Sequence, residues 1–281
     1  MKIAYGTYAM PGVPQVEAVR AMADIGYDGV EFILRRPDHE SMPDQWSAQL
    51  RRDVRSLLSD LDMGISSLFL ARPILTDAAT THEETLDVVR QMRTLARDLG
   101  MGDMPVLTTD LGGRSADWPG AQARLLDTLA EYIDLAEREQ FTLAIEPHYG
   151  GLLDRKDRAL WLMDAIDDSP RLRLLFDISH FQLAGDDTLE TIAALAPHAA
   201  HVHIKEGRQL DEGYEFLVTG AGQLDLPAYF AAMRAAGWDG YVTLEVARMI
   251  WSRSDYEVEA TARDSYAAVV AAMLAAGVPR P

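Results

Sequence analysis

Eight short apolar segments alternate along this chain with longer stretches in which apolar residues recur every third or fourth position. The segments are Ile3–Thr7, Gly29–Phe32, Ile65–Leu70, Val106–Thr109, Thr142–His148, Arg173–Ser179, His201–Lys205 and Tyr241–Val246. Such a pattern marks repeated βα units around a parallel sheet. Between the segments, Leu86, Val89, Met92, Ala96 and Leu99, and again Leu126, Leu129, Ile133 and Ala136, share a helical face. Gly26, Gly100, Gly237 and Gly277 follow helical stretches, where a left-handed cap favours glycine. Eight βα units close into a barrel of roughly 250 residues. With 281 residues and no linker or low-complexity tract, the chain is expected to be α/β, a single (β/α)8 TIM barrel spanning 1–281.

Composition narrows the chemistry. There are no cysteines, which excludes disulfides, thiolate nucleophiles, zinc fingers and iron–sulfur clusters. A net charge of −18, from 44 acidic against 26 basic residues, repels phosphate backbones, so no nucleic-acid partner is expected. The longest apolar stretch, 267–278, falls short of the ~20 residues that span a membrane. Met1-Lys2-Ile3-Ala4-Tyr5 runs directly into a strand with no secretory pattern, and a cytoplasmic protein is expected. A homo-oligomer is left open.

Strands packed on both faces should read as continuous apolar runs. Four of these do not: Glu146, Asp177, His203 and Glu245 stand at the C-terminal ends of the fifth to eighth segments. Because alternate side chains share a face, Ala144, Leu175, His201 and Thr243 would form a lower inner layer and the four ionisable residues a ring above it. Barrel active sites lie at that mouth. Three carboxylates and an imidazole converging there would repel unless a cation joined them. Hard oxygens with one imidazole suit Mn²⁺, Mg²⁺, Co²⁺ or Zn²⁺. The alternative is an ion-pair network in which Lys205 or Arg208 neutralises the acids. Glu31 ends the second segment and reads equally as structural; Phe69, Trp118 and Trp251 read as pocket walls or as packing.

The runs Ala-Ile-Glu-Pro-His (144–148), Phe-Asp-Ile-Ser-His (176–180), His-Val-His-Ile-Lys (201–205), Gly220-Ala221-Gly222 and Gly-Trp-Asp-Gly-Tyr-Val-Thr-Leu-Glu (237–245) resemble the xylose-isomerase-like sugar phosphate isomerase/epimerase family. The resemblance implies a metal set of Glu146, Asp177, His203 and Glu245, holding one divalent ion, manganese by preference. It also implies acid/base roles for Glu146 and Glu245 and substrate contact by His180. The substrate-binding arginine expected six positions after the ligand histidine is Gln209 here, with Arg208 one earlier. A DNA-repair branch of the family uses extra histidines on strands three and four, and Ser66-Ser67-Leu68-Phe69 and Leu107-Thr108-Thr109 have none.

The expected chemistry is proton abstraction next to a carbonyl through a metal-stabilised enediolate, giving epimerisation or isomerisation of a sugar or sugar phosphate. His180, His148, Lys205 and Arg208 are the expected substrate-binding residues, although Lys205 could instead pair with Glu206 or a ring carboxylate. Loss of a β-hydroxyl from the same intermediate would make the protein a lyase of a keto-sugar, inosose or dehydroshikimate. A non-catalytic sugar-binding barrel is the remaining alternative. Specificity is expected in the loops 110–118 and 207–220.

Overall fold

A computed structural model describes residues 1–35, 41–76 and 79–280. Eight parallel strands close into a barrel. In chain order they are β1 (Lys2–Gly6), β2 (Gly29–Leu34), β3 (Gly64–Leu70), β4 (Val106–Asp110), β5 (Thr142–Glu146), β6 (Leu172–Asp177) and β7 (Ala199–Ile204) and, after a hairpin of β8 (Glu206–Gln209) and β9 (Tyr214–Leu217), β10 (Tyr241–Leu244). Each expected segment is a barrel strand. β1 closes the barrel by pairing with both β2 and β10, Tyr5 lying opposite Leu244.

Helices cover the outside: α1 (Gln15–Ile25), α2 (Ala48–Asp60), α3 (Ala79–Leu99), α4 (Trp118–Glu139), α5 (Lys156–Ala165), α6 (Ile178–Ala184), α7 (Thr188–Leu195), α8 (Leu226–Ala235), α9 (Arg248–Trp251) and α10 (Val258–Ala275). Their apolar stripes are buried as the spacing requires, with Val89, Met92 and Ala96 of α3 and Leu129 and Ala136 of α4 fully inaccessible. Each fully buried Leu or Val contributes roughly 2 kcal/mol from apolar area. Gly26 ends α1 at φ 110°, in the left-handed region, and donates back to Met22 and Ala23.

The strands at the mouth stop sooner than their sequences suggest. β5 ends at Glu146 rather than His148, since Pro147 has no N–H to continue the ladder. β6 ends at Asp177, whose carboxylate accepts the Ser179 N–H and starts α6, so Ser179 and His180 are helical. β7 begins at Ala199 and leaves Lys205 just beyond it, and Glu245 lies just past β10. The segment 207–220, expected as a loop, carries most of the antiparallel β8–β9 hairpin. Its turn is permitted by Gly213 at φ 79°.

Candidate active site

Register places the ring. Asp177 lies opposite His203 and Leu175 opposite His201, while Thr243, expected in the lower layer, lies opposite His203, so Glu245 stands two residues beyond that level. Ligand atoms of Glu146, Asp177, His203 and Glu245 all lie within 4.8 Å of one another. A two-residue period along each strand brings these four to one place, and the structure does the same. Around them the barrel interior is polar: Glu31 accepts from Ser67 Oγ, which lies 3.0 Å from Thr108 Oγ1, and Thr243 donates to Ser66 at 3.1 Å.

Two histidines are locked by their second nitrogen. His203 Nδ1 lies 3.0 Å from Glu245 Oε2 and its Nε2 lies 2.8 Å from Glu31 Oε2. Glu31 also stands 3.0 Å from His201 Nε2, which accounts for His201 as a lower-layer residue. In α6, His180 Nδ1 accepts the Tyr149 N–H at 3.2 Å, so Nε2 carries the proton and points at Glu146 Oε1, also 3.2 Å away.

Lys205 enters the ring from one residue beyond β7. Its ammonium donates to Asp177 and to Glu245 at 2.7 Å, and lies 3.8 Å from Glu146. It pairs with ring carboxylates and not with Glu206, whose carboxylate accepts the Gly220 and Leu224 N–H groups instead. That closes the Gly220-Ala221-Gly222 loop, where a side chain on Gly222 would sit 2.2 Å from Glu206 Oε2.

At Glu31, Glu146, Glu245 and His203 burial opposes the charge and neighbouring charges override it. Glu146 is held down at about 2 by Lys205 and His180, and Glu31 at about 2 by His203 and His201. Glu245 falls well below the carboxylate range through Lys205 and His203. His203 rises well above the ordinary histidine value between Glu31 and Glu245. Four carboxylates, Glu31, Glu146, Asp177 and Glu245, thus face one ammonium and one imidazolium. The excess negative charge is visible at Asp110: loss of solvent and then the charges of Glu146 and Glu245 push its carboxyl up to about 8.

These observations fit a divalent cation. Glu146 Oε1 is buried with His180 Nε2 at 3.2 Å as its neighbour, inside a donor set of three carboxylates and an imidazole whose charge is under-compensated. Coordination through His203 Nδ1 would take the place of the proton it shares with Glu245.

Asp110 carries no signal in the sequence, where it reads as the first residue of a loop. It ends β4 directly opposite Glu146 and lines a cavity of about 460 Å³ with Glu146, His148 and Tyr149. Tyr8 is equally silent in the sequence. It follows β1, packs edge-on against Trp251 at 5.4 Å, and has its phenol pushed up by burial and by the charge of Glu245. Phe69 stands edge-on to His203 at 5.6 Å, so Tyr8, Phe69 and Trp251 form an aromatic side to the mouth. Trp118 packs on Trp161 at 4.9 Å, beneath Arg158, and is not in the cavity wall.

The remaining expected residues separate. His148 lies over His180, ring centroids 4.0 Å apart, with its basicity lowered by lost solvent and by that neighbour. Arg208 is turned onto Glu215 across the hairpin, with 54% of its side chain exposed, and the structure does not bring it into the ring. Gln209 instead donates at 3.0 Å to the Oη of Tyr149, a residue of the cavity wall.

A closed parallel barrel with an acidic, histidine-bearing ring at its C-terminal mouth defines a class of α/β-barrel proteins with a metal-binding type of site. Residues 19–269 match the family model described as the xylose isomerase-like TIM barrel, and the chain belongs to that family. It is 24% identical over 284 residues to L-ribulose-5-phosphate 3-epimerase UlaE of Salmonella paratyphi C, covering 99% of this chain and 97% of that one. The crystal structure of D-psicose 3-epimerase in the presence of D-fructose superposes with a TM-score of 0.78 at 15% identity, covering 99% of this chain and all of that one. The IOLI protein with a bound zinc atom superposes with a TM-score of 0.76 at 18% identity, covering 96% and 98% of the two chains.

Proposed function

We propose that this chain is a divalent-metal-dependent sugar epimerase or isomerase that removes a proton from the carbon next to a carbonyl. The observation that carries this reading is the convergence of Glu146, Asp177, His203 and Glu245 in one under-compensated ring beside a cavity. Full-length similarity to relatives named as 3-epimerases supports it. Manganese is the ion we favour among those the donor set suits. Held by the four ring residues, a divalent ion supplies Lewis acidity for a substrate carbonyl and offsets the negative charge that develops on its oxygen.

The residues themselves divide the proton work. Glu146 and Glu245 are both ionised, as a base must be, and come from β5 and from the end of β10, on different sides of the ring. One takes the proton from carbon as a carboxylate, leaving an enediolate, and the other, having first taken up a proton from solvent, delivers it to the opposite face. Return to the same carbon is epimerisation, and return to its neighbour is isomerisation. His180, fixed by the Tyr149 N–H, presents an Nε2–H that donates to a substrate oxygen. Tyr8, Phe69 and Trp251 limit water on the far side of the mouth.

The test is deuterium incorporation from D₂O, followed by NMR on manganese-loaded protein with a panel of ketoses. Glu146→Gln and Glu245→Gln are expected to keep the fold by circular dichroism while losing exchange. Undiminished exchange in both variants sinks the two-carboxylate mechanism, and a new conjugated absorbance in the product moves the reading to a dehydratase.

A further inference from the structure

The cavity beside the ring has a chemical bias of its own. It opens between the ends of β4 and β5, and its polar wall is Asp110, Glu146, His148, Tyr149 and Tyr214. Among the described residues no lysine or arginine lines it. Among the described residues, Lys205 pairs with Asp177 and Glu245, Arg158 with Asp154 and Arg208 with Glu215, and Arg35 lies over the Tyr8 and Trp251 rings on the other side of the mouth. From the hairpin the cavity receives Tyr214, and behind its Tyr149 wall stands Gln209, neutral and bound to Tyr149 Oη. Helix α5, which starts three residues after Leu153, gives its Lys156 N–H to Asp186 at 2.9 Å.

A phosphate monoester carries about −1.5 to −2 charges and needs an arginine, a lysine or a free helix N-terminus to hold it. In this wall it would meet the Glu146 carboxylate, with no lysine or arginine among the described lining residues to pair it. Sugar hydroxyls carry no charge and both donate and accept, so they suit a carboxylate and a protonated carboxyl alike. Gly112 and Gly113, at φ 87° and 73°, let the loop after Asp110 turn tightly against Pro73, Leu75 and Leu152 and so form the wall next to that carboxyl.

We propose that the site takes a non-phosphorylated polyhydroxy ketone, and that Asp110 is a specificity-determining residue that hydrogen-bonds a hydroxyl remote from the reacting carbon. The assignment rests on the epimerase reading and goes beyond it by excluding the phosphate ester named for the UlaE relatives.

The experiment compares L-ribulose with L-ribulose-5-phosphate, and D-fructose with D-fructose-6-phosphate, on the same manganese-loaded protein. Deuterium exchange gives kcat and KM, and titration calorimetry gives binding. The free ketose of at least one pair should show a kcat/KM at least about tenfold above its ester. Asp110→Asn and Asp110→Ser should each raise KM and Kd for that ketose by about tenfold, the worth of one hydrogen bond, with a smaller change in kcat. Preference for the esters, or unchanged KM and Kd in both variants, overturns the assignment while leaving the epimerase reading intact. Exchange with none of the four compounds overturns that reading and this assignment with it.

Discussion

Glu31 Oε2 lies 2.8 Å from His203 Nε2, on the ring nitrogen that faces away from Glu245. A ligating histidine is commonly oriented by a carboxylate on its other nitrogen, which fixes the ring and raises its basicity, and loss of that partner typically costs 10–100-fold in metal affinity. Glu31→Gln should therefore weaken manganese binding by roughly that factor. Competition against a fluorescent chelator measures it, and an unchanged affinity would show that Glu31 serves only the barrel interior.

Lys205 and a divalent ion answer the same charge problem, so their contributions should trade. In metal-free protein Lys205→Met leaves Asp177 and Glu245 uncompensated in a buried site, at a cost of about 3 kcal/mol. Manganese should then raise the melting temperature more in the variant than in the parent. Thermal melts with and without chelator read both effects, and equal metal-induced shifts would refute the trade.

Asp154 ties the loop after β5 to the loop after β4, accepting from Arg155 at 3.1 Å and lying 2.9 Å from Arg158, which also donates to Ser115 and Leu152. Burial opposes its charge, and bonds from Arg155 and Ser115 and the charge of Arg158 hold its carboxyl below the usual range. A lowered folded value means stability that is present above the unfolded value near ~3.9 and is lost as pH falls through the folded one. Asp154→Asn should cost roughly 2 kcal/mol at pH 7 and flatten the acid side of the stability profile below about pH 4. Urea unfolding across that range is the measurement; parallel profiles for parent and variant would count against it.

Glu206 accepts the Gly220 and Leu224 N–H groups at 2.7 and 2.9 Å and is 2% exposed. Glutamine keeps one acceptor and turns an NH₂ onto the other amide. Glu206→Gln should lower stability by roughly 2 kcal/mol and speed hydrogen exchange at Gly220 and Leu224 specifically. Uniform exchange rates in parent and variant would place the loop's order elsewhere.

Much of the ring is legible in the amino-acid sequence. Glu146, Asp177, His203 and Glu245 stand out because each interrupts an apolar strand at its C-terminal end, and a two-residue period says which face it takes. Asp110 gives no such signal, because Thr108-Thr109-Asp110 looks like the polar start of a loop, and only pairing with β5 sets it opposite Glu146. Arg208 and Gln209 show the same limit in reverse. Adjacent on a strand, they point to opposite sides, and the hairpin decides that Gln209 meets Tyr149 while Arg208 meets Glu215.

By itself the amino-acid sequence determined the barrel and the positions of its four ionisable strand ends, since both follow from local periodicity and from polar residues where apolar ones belong. Only the tertiary structure decided what those groups face. Barrel closure brings Glu31 to His203 across 172 positions of chain, drops the Lys205 ammonium between Asp177 and Glu245, and leaves Asp110 beside an excess of negative charge. Charge state and hydrogen bonding depend on neighbours a few ångströms away in space, and the distance along the chain carries no record of them.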